Sequence, residues 1–471
     1  MRLQSVDAGR FCVLLKQLMS YGFLVLLLSL TTATRAQCPF NSGSTGSDGA
    51  FAPTASQEVQ VPESGVFNFT TVDIPAGVTI TFRRNSRNTP VTILAQGNVT
   101  ISGKFDVSGT PGGLGRFQFG RGGPGGFDGG GGGFPVLSTD PLFKGVAGDG
   151  PGGGGGSFNA WGGGGGSGDP GQNGFGSGGG SGGPRYGSPS LLPLIGGSGG
   201  GGGSSIRTAG AGGGGGGALL IASSGAINFN ATSSVLASGS SGGIGSDCTF
   251  FVGGGGGGGG SIRLIASSIT GSTFLIAGAG GGVCGSGAGG RGYVRVEACS
   301  NTLTISSTAG LLTFGKPSSV TLPNAPQLQI VSVAGVNAPA NPSGSFNQTP
   351  DVTLQASTPN PVSISLQAAN IPVGTVAQVS IQPESGARTT VPSTPLAGTI
   401  SSSTATASAT LPTGLSLIYS TAEFDITTTA SAKPFFIDGE QIAKVEVRAV
   451  YGGGSEVTYV TRSGKRIKKN D

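Results

Sequence analysis

Runs of consecutive glycine constrain this chain more than any other feature. Glycine supplies 96 of 471 residues, against an average usage of roughly 7%, and it comes in unbroken blocks such as 253–260. Collagen needs glycine at every third position with abundant proline, so blocks of this kind exclude a triple helix. Two readings remain for the inserts at about 110–217, 240–260 and 278–292. They are flexible loops, or they lie side by side as polyproline-II-like strands, because only backbones without side chains approach closely enough. Phe117, Phe119, Phe127, Phe134, Phe158, Trp161 and Phe175 punctuate the first insert and would be wasted in a pure linker. The sequence leaves both readings open.

Between the blocks the composition is Val, Ile, Leu, Thr, Ser and Ala, a strand-forming palette that predicts an all-β protein. Four segments can be laid over one another: 92–109, 219–239, 263–278 and 295–310. Each is a short apolar strand ending in alanine, a small polar corner, a second alternating strand and a glycine. The shared alanines are Ala95, Ala222, Ala266 and Ala298, and the last three are spaced by 44 and 32 residues. A unit of two or three short strands cannot bury its own apolar side, so the repeat predicts coils stacked as a parallel β-helix around one aliphatic interior. Alternation places Ile, Leu and Val inside, and Arg263 and Arg295 facing out. Val66-Phe-Asn-Phe69 and Val78-Thr-Ile-Thr-Phe82 fit an opening coil.

The first 36 residues read as a secretory signal. Arg2, Arg10 and Lys16 precede the apolar stretch 22–30, and small residues end at Thr34-Arg35-Ala36, before Gln37. Nine apolar residues fall well short of the roughly 20 that span a bilayer, so no membrane span is expected in the mature chain. A lipoprotein at Cys38 is disfavoured, because Arg35-Ala36-Gln37 makes a poor lipobox.

The stacked pattern, the leader and Gly46-Ser-Asp-Gly-Ala-Phe-Ala-Pro53 together resemble a group of exported bacterial glycine-rich proteins. These have a pectin-lyase-like right-handed parallel β-helix and a C-terminal immunoglobulin-like domain. The resemblance covers about residues 38–320. It implies an architecture and says little of activity, since most members have none assigned.

Loss of the leader removes Cys12 and leaves Cys38, Cys248, Cys284 and Cys299. An even number in an exported chain suggests two disulfides with three possible pairings. Cys248–Cys284 is preferred, because both lie in glycine-rich loops at comparable places in the repeat. It would close a loop of about 36 residues, a stabilisation of roughly 3–4 kcal/mol in the chain-entropy model. With no histidine and no CxxC, a zinc site is not expected.

Composition shifts near Pro323, where glycine falls and Ser, Thr, Val and Pro take over. Alternating segments at 328–333, 351–356, 362–366, 376–381, 404–411, 422–426, 444–448 and 456–460 predict an immunoglobulin-like β-sandwich over 323–462. The remaining 463–471 is a basic tail carrying Lys465, Arg466, Lys468 and Lys469. The full chain has a net charge of +5. Residues 1–36 hold Arg2, Arg10, Lys16 and Arg35 against Asp7, so the mature chain falls to about +2. A nucleic-acid protein would spread basic charge over a face with interleaved aromatics, and no nucleic-acid partner is expected.

Chemistry is sparse. Absence of histidine excludes Ser-His-Asp and Cys-His sites and His-ligated metals. A glycosidase needs converging carboxylates, and a lyase needs acids holding calcium beside a basic group. The repeat carries only Asp106 and Glu297, while Asp128, Asp140, Asp149, Asp169 and Asp247 read as isolated in glycine loops. Gly125-Gly-Phe-Asp128 and Gly145-Val-Ala-Gly-Asp149 approach a calcium repeat but lack its tandem spacing. The sequons at Asn68, Asn98, Asn230 and Asn347 matter only in a eukaryotic secretory pathway. No catalytic residue, cofactor or metal is therefore expected. The predicted function is that of a secreted, periplasmic or cell-surface structural or adhesive protein without catalytic activity. Its expected partners are extracellular polysaccharide or cell-surface components. The alternative is a polysaccharide-binding or polysaccharide-cleaving β-helix, with Trp161, Tyr186 and the Phe residues as sugar platforms.

Overall fold

In the computed structural model, residues 38, 40–136, 140–243, 252–320, 326–340, 342–424, 436–437, 440–450, 454–461 and 466–467 are described. Met1–Pro39 and Phe40–Asp471 are separate compact units, and of the first only Cys38 is described. The expected signal peptide lies outside the described residues. Among the described residues the protein is all-β, with one 3-10 turn at Pro141–Phe143. No described helix is long and apolar enough to cross a membrane.

Eleven strands form the first, curled sheet. Seven are short: β1 (Gln57–Gln60), β2 (Val66–Phe69), β3 (Val72–Ile74), β4 (Thr79–Arg83), β5 (Val91–Ala95), β6 (Val99–Ile101) and β7 (Lys104–Asp106). Then come β8 (Ala218–Leu236), β9 (Ser261–Ile276), β10 (Tyr293–Thr308) and β11 (Leu311–Gly315). All their pairings are parallel. The long β8 covers β5, β6 and β7 in turn, with register shifts between them, and β9 and β10 follow it.

Register makes columns of like side chains. Phe67, Ile93, Ile221, Leu264 and Val296 align across five strands, and the last four are 0–1% exposed. Each buried aliphatic side chain of this size contributes roughly 1.5–3 kcal/mol, and the column belongs to the buried core that holds the sheet together.

The alanine column differs from expectation at one place. Phe69, Ala95, Ser223, Ala266 and Ala298 align, and Ala222 sits one residue away beside Leu94, Ile265 and Glu297. The identical pentapeptides Leu220-Ile-Ala-Ser-Ser224 and Leu264-Ile-Ala-Ser-Ser268 suggest the wrong register. What sets it is the end of each glycine run: Ala218, Ser261 and Tyr293, the first residues after the runs, lie opposite one another. A one-residue slip moves a side chain to the other face. Ala222 accordingly joins Leu94, Leu220 and Ile265 in an outer apolar layer packed against Phe40, Leu194 and Val320.

Arg263 is a second departure. It points away from the aliphatic interior, yet it is fully buried rather than solvated. Residues 317–320 and 40–44 lie over this outer face: Arg263 donates to Ser318 and Ser319, and the Phe40 amide donates to Ser267. Its guanidinium pairs with Glu297 at 3.1 Å, and Arg295 meets the same carboxylate at 2.7 Å.

The glycine inserts form a backbone-bonded bundle rooted on this sheet. In the segment 210–218 every third amide goes to the same neighbour. Gly210, Gly213 and Gly216 donate to Val252, Gly255 and Gly258; Ala211, Gly214 and Gly217 to Gly113, Thr110 and Val107; and Gly212, Gly215 and Ala218 to Gly130, Phe127 and Pro124. The N···O distances are 2.7–3.0 Å. Three residues per turn is the polyproline-II repeat. The segment 253–260 is interior, donating to segments 237–243, 198–201 and 287–290 and accepting from 210–216, 162–165 and Gly280. Six neighbours around one strand leave no room for side chains. A Cβ on Gly255 would lie 2.0 Å from the Gly163 carbonyl oxygen, and one on Gly212 would lie 1.8 Å from that of Gly200.

The C-terminal strands are β12 (Gln327–Val333), β13 (Val336–Asn337), β14 (Val362–Ala369), β15 (Val376–Pro383), β16 (Thr389–Pro395), β17 (Ala397–Thr399), β18 (Ser402–Ala409), β19 (Ser416–Phe424), β20 (Phe436–Ile437), β21 (Glu440–Val450), β22 (Gly454–Thr461) and β23 (Arg466–Ile467). Their pairings are antiparallel, in the order β13-β12-β14-β18-β16-β15-β19-β21-β22-β23. Inward residues of β12, β14 and β18 share one core with those of β15 and with Ala422 and Ile442. The expected strand at 351–356 is irregular instead, because the Asp351 carboxylate accepts the Ser343 and Gly344 amides at 2.6 and 2.8 Å and folds the segment into a loop. The unexpected β16 carries Pro392 and Pro395, residues that argue against a strand in the interior of a sheet. It pairs with β15 and touches β18 at Ser393.

This bundle makes a strong demand on one atom. Gly255→Ala is expected to lower stability by at least about 1–3 kcal/mol through overpacking. Gly281→Ala, whose Cβ would meet nothing within 4 Å, should fall within about 0.5 kcal/mol of wild type. Thermal or urea unfolding of the two variants checks this; equal stability would contradict the packed arrangement.

Candidate functional site

Bundle strands that leave the curled sheet turn around at their far end, and these turns collect large apolar side chains. The turns lie at 115–119, 134–136, 140–144, 158–161, 175–178, 204–208 and 283–285. Bonds across them include Gly115 to Ala209, Gly133 to Gly203, Phe158 to Gly178 and Phe175 to Gly285. A side chain cannot point into a glycine lattice, so each residue ending a run points outward or onto a neighbouring turn.

Phe117, Val136, Leu142, Phe158, Phe175 and Ile206 are all exposed here, Phe117 by 79% and Phe175 by 71%. The three phenylalanines among them are each held against a second ring. Phe117 meets Phe134 edge-on at 5.9 Å, Phe158 meets Phe143 at 5.5 Å, and Phe175 meets Trp161 at 5.7 Å. The Arg116 guanidinium lies 6.0 Å from the Phe134 ring centre, and that of Arg121 lies 4.7 Å from Phe119. Clustered exposed apolar area of this kind is where monomeric proteins make contacts.

Not every expected aromatic belongs to this surface. Tyr186 is buried at the opposite end of the bundle with Phe127 and Ile195. Its hydroxyl donates to the Gly196 carbonyl at 2.5 Å and accepts from Ser198, so it presents no platform. Sequence reasoning missed Val136, Leu142 and Ile206. For Val136 and Ile206 the signal is the one that marks the aromatics, a large apolar residue just beyond a glycine run.

Asp128 and Asp149, which read as isolated, are brought together, since the Asp149 amide donates to the Asp128 carbonyl from the adjacent bundle strand. Asp128 is held by Arg84 at 2.5 Å, Arg121 at 3.2 Å and the Gly122 amide at 2.8 Å. Asp149 accepts from the Ser345 hydroxyl and, at 3.0 Å, from the Phe346 amide. Burial, and then the neighbouring Asp128 charge, push its carboxyl up to about 8. Asp149 therefore keeps its proton near neutral pH, and Asp128 and Asp149 are only 3% and 2% exposed. They hold the loop at 345–347 to the bundle, beside an apolar contact of Val146 and Ala147 with Phe346, Leu417 and Tyr419.

Other carboxylates are likewise occupied. Glu297 is raised by burial and lowered more by Arg263 and Arg295, which hold it below the ordinary carboxylate value. Asp169 pairs with Arg291, Glu58 with Arg83, and Glu384 with Arg116. Among the described residues no group of three or more His, Cys, Asp or Glu side chains is placed to hold a metal. Cys38, Cys284 and Cys299 are disulfide-bonded; Cys248 lies outside the described residues, as does Asp247. The turn after Cys284 faces Trp161 and Phe175: a Cβ on Gly285 would lie 3.5 Å from each.

Comparison with protein-family models, with curated proteins and with solved structures gives no match.

One outcome follows from this geometry and a second from the cysteine spacing. The folded chain keeps a proton on Asp149 that the unfolded chain, ionising near 3.8, has lost. This group therefore lowers stability as pH rises from about 4 toward 8 and adds nothing further above that. Asp149→Asn, neutral throughout, should gain relative to wild type as unfolding is measured from about pH 5 to pH 8; parallel curves would contradict the assignment. Non-reducing peptide mapping should recover Cys248–Cys284 and Cys38–Cys299, and any other pairing would overturn the sequence-based preference.

Proposed function

We propose that this protein is an exported structural or adhesive protein that presents the aromatic end of its glycine bundle to extracellular polysaccharide or to a cell-surface component. In this reading the parallel ladders wind as a right-handed β-helix and the C-terminal strands form an immunoglobulin-like sandwich. The protein works outside the cytoplasm, free, periplasmic or surface-bound, and performs no catalysis. The observation that carries the reading is the group of six exposed large apolar side chains at one end of the bundle, on turns whose backbones are tied by hydrogen bonds. Aromatic faces on a pre-ordered scaffold bind with little loss of side-chain freedom, and ring faces stack on the apolar faces of sugars. Paired, buried carboxylates favour binding over cleavage.

Purified mature protein should be retained on one or more members of an immobilised polysaccharide panel or on intact envelope preparations. Phe117→Ser combined with Phe175→Ser should cut retention at least tenfold with unfolding temperature unchanged. New reducing ends or unsaturated sugars, with or without calcium, would replace this reading by the polysaccharide-cleaving alternative. Undiminished retention by the double variant would remove the aromatic end from the account.

A further inference from the structure

We propose a second, independent site in the C-terminal part of the chain: a cavity that takes a small, neutral, largely apolar molecule bearing a hydroxyl, amine or carbonyl group. The cavity has a volume of about 670 Å³, within the roughly 300–1,000 Å³ typical of small-molecule sites. It lies between β12 and β19 and opens past the loops at 350–358 and 411–415. Leu328, Ile330, Val352, Leu354, Leu411 and Ile418 supply apolar wall.

Two features define the occupant. The first is a pair of hydroxyls. Ser416 and Ser420 line the cavity, and both their Oγ atoms are buried without a hydrogen-bond partner. Ser420 is fully buried. The two are four residues apart on β19, so they share a face of the strand and lie roughly 13 Å apart along it. Buried hydroxyls are normally satisfied, and an apolar wall with two waiting hydroxyls suits a ligand whose polar atoms are few and well separated.

The second feature is charge. Among the described residues no Lys or Arg lines the cavity, and the one carboxylate, Asp351, accepts the Ser343 and Gly344 amides. Tyr419, also in the wall, donates its hydroxyl outward to the Gly150 carbonyl. The described lining holds no cation to pair with an anionic head group, so fatty-acid or sulfonate ligands are disfavoured there. A neutral one fits the wall.

The test uses the full mature chain and N-phenyl-1-naphthylamine, a neutral apolar fluorophore with one N–H. Saturable fluorescence enhancement at one site per chain is expected. The anionic relative 8-anilinonaphthalene-1-sulfonate should bind at least tenfold more weakly. Leu354→Trp, in a loop of the wall, should weaken the neutral probe at least tenfold by filling space. Ser420→Ala should weaken it roughly 2–10-fold while leaving the unfolding temperature unchanged or raised, because a buried unpartnered hydroxyl is removed. Phe117→Ser with Phe175→Ser should leave uptake unaltered, which separates this site from the aromatic end. Absence of saturable uptake, equal binding of the anionic probe, insensitivity to both cavity variants, or loss of uptake in the far-end variant would each overturn the proposal.

Discussion

Where two peptide backbones approach without a Cβ between them, each amide can reach the next strand's carbonyl directly, and a strand with three residues per turn can do so on three sides. The remaining structure rests on this constraint. Segment 253–260 is bonded to six others, a connectivity unavailable to a β-strand, whose hydrogen bonds leave on two sides only. Buried amides and carbonyls are costly unless paired, by about 1–3 kcal/mol each, so the bundle holds only where the runs stay in register. That register passes into the curled sheet. Ala218, Ser261 and Tyr293 start their strands side by side because the glycine runs before them end side by side.

Much of this was legible in the sequence, and the failures have physical causes. Val-Ile-Leu-Thr segments between glycine runs announce strands, and three of four matched alanines, Ala95, Ala266 and Ala298, do share a column. Ala222 does not, because a local match of five residues says less about register than the end of a glycine run does. Alternation correctly turned Arg263 away from the interior. It could not reveal that residues 317–320 and 40–44, remote in sequence, cover that outer face and make a buried ion pair of Arg263 with Glu297. Asp128 and Asp149 lie in different glycine segments, and only the fold of the bundle makes them neighbours. β16 was hidden by its prolines.

The same constraint explains how chemistry is distributed. A lattice that excludes side chains pushes the large residues of the inserts to its ends or onto its outer flank, where Val146 meets Phe346, Leu417 and Tyr419. One end holds Tyr186, Phe127 and Ile195 in a closed cluster, and the other exposes paired aromatics. Recognition, in this account, is confined to turns and to the C-terminal part of the chain, while the glycine interior supplies stiffness. Several acidic residues act as ties: Asp149 to the loop at 345–347, Glu384 to Arg116, and Glu297 to two arginines.

The central claim is that the glycine segments are bonded to one another rather than loose. Amide hydrogen exchange resolved across 210–217 and 253–260 tests it most directly. Bundle amides should exchange only through the opening that also exposes β8 and β9, with protection of the same order as in those strands. Exchange of the glycine amides at the rate of an unstructured chain, while β8 and β9 stay protected, would contradict it.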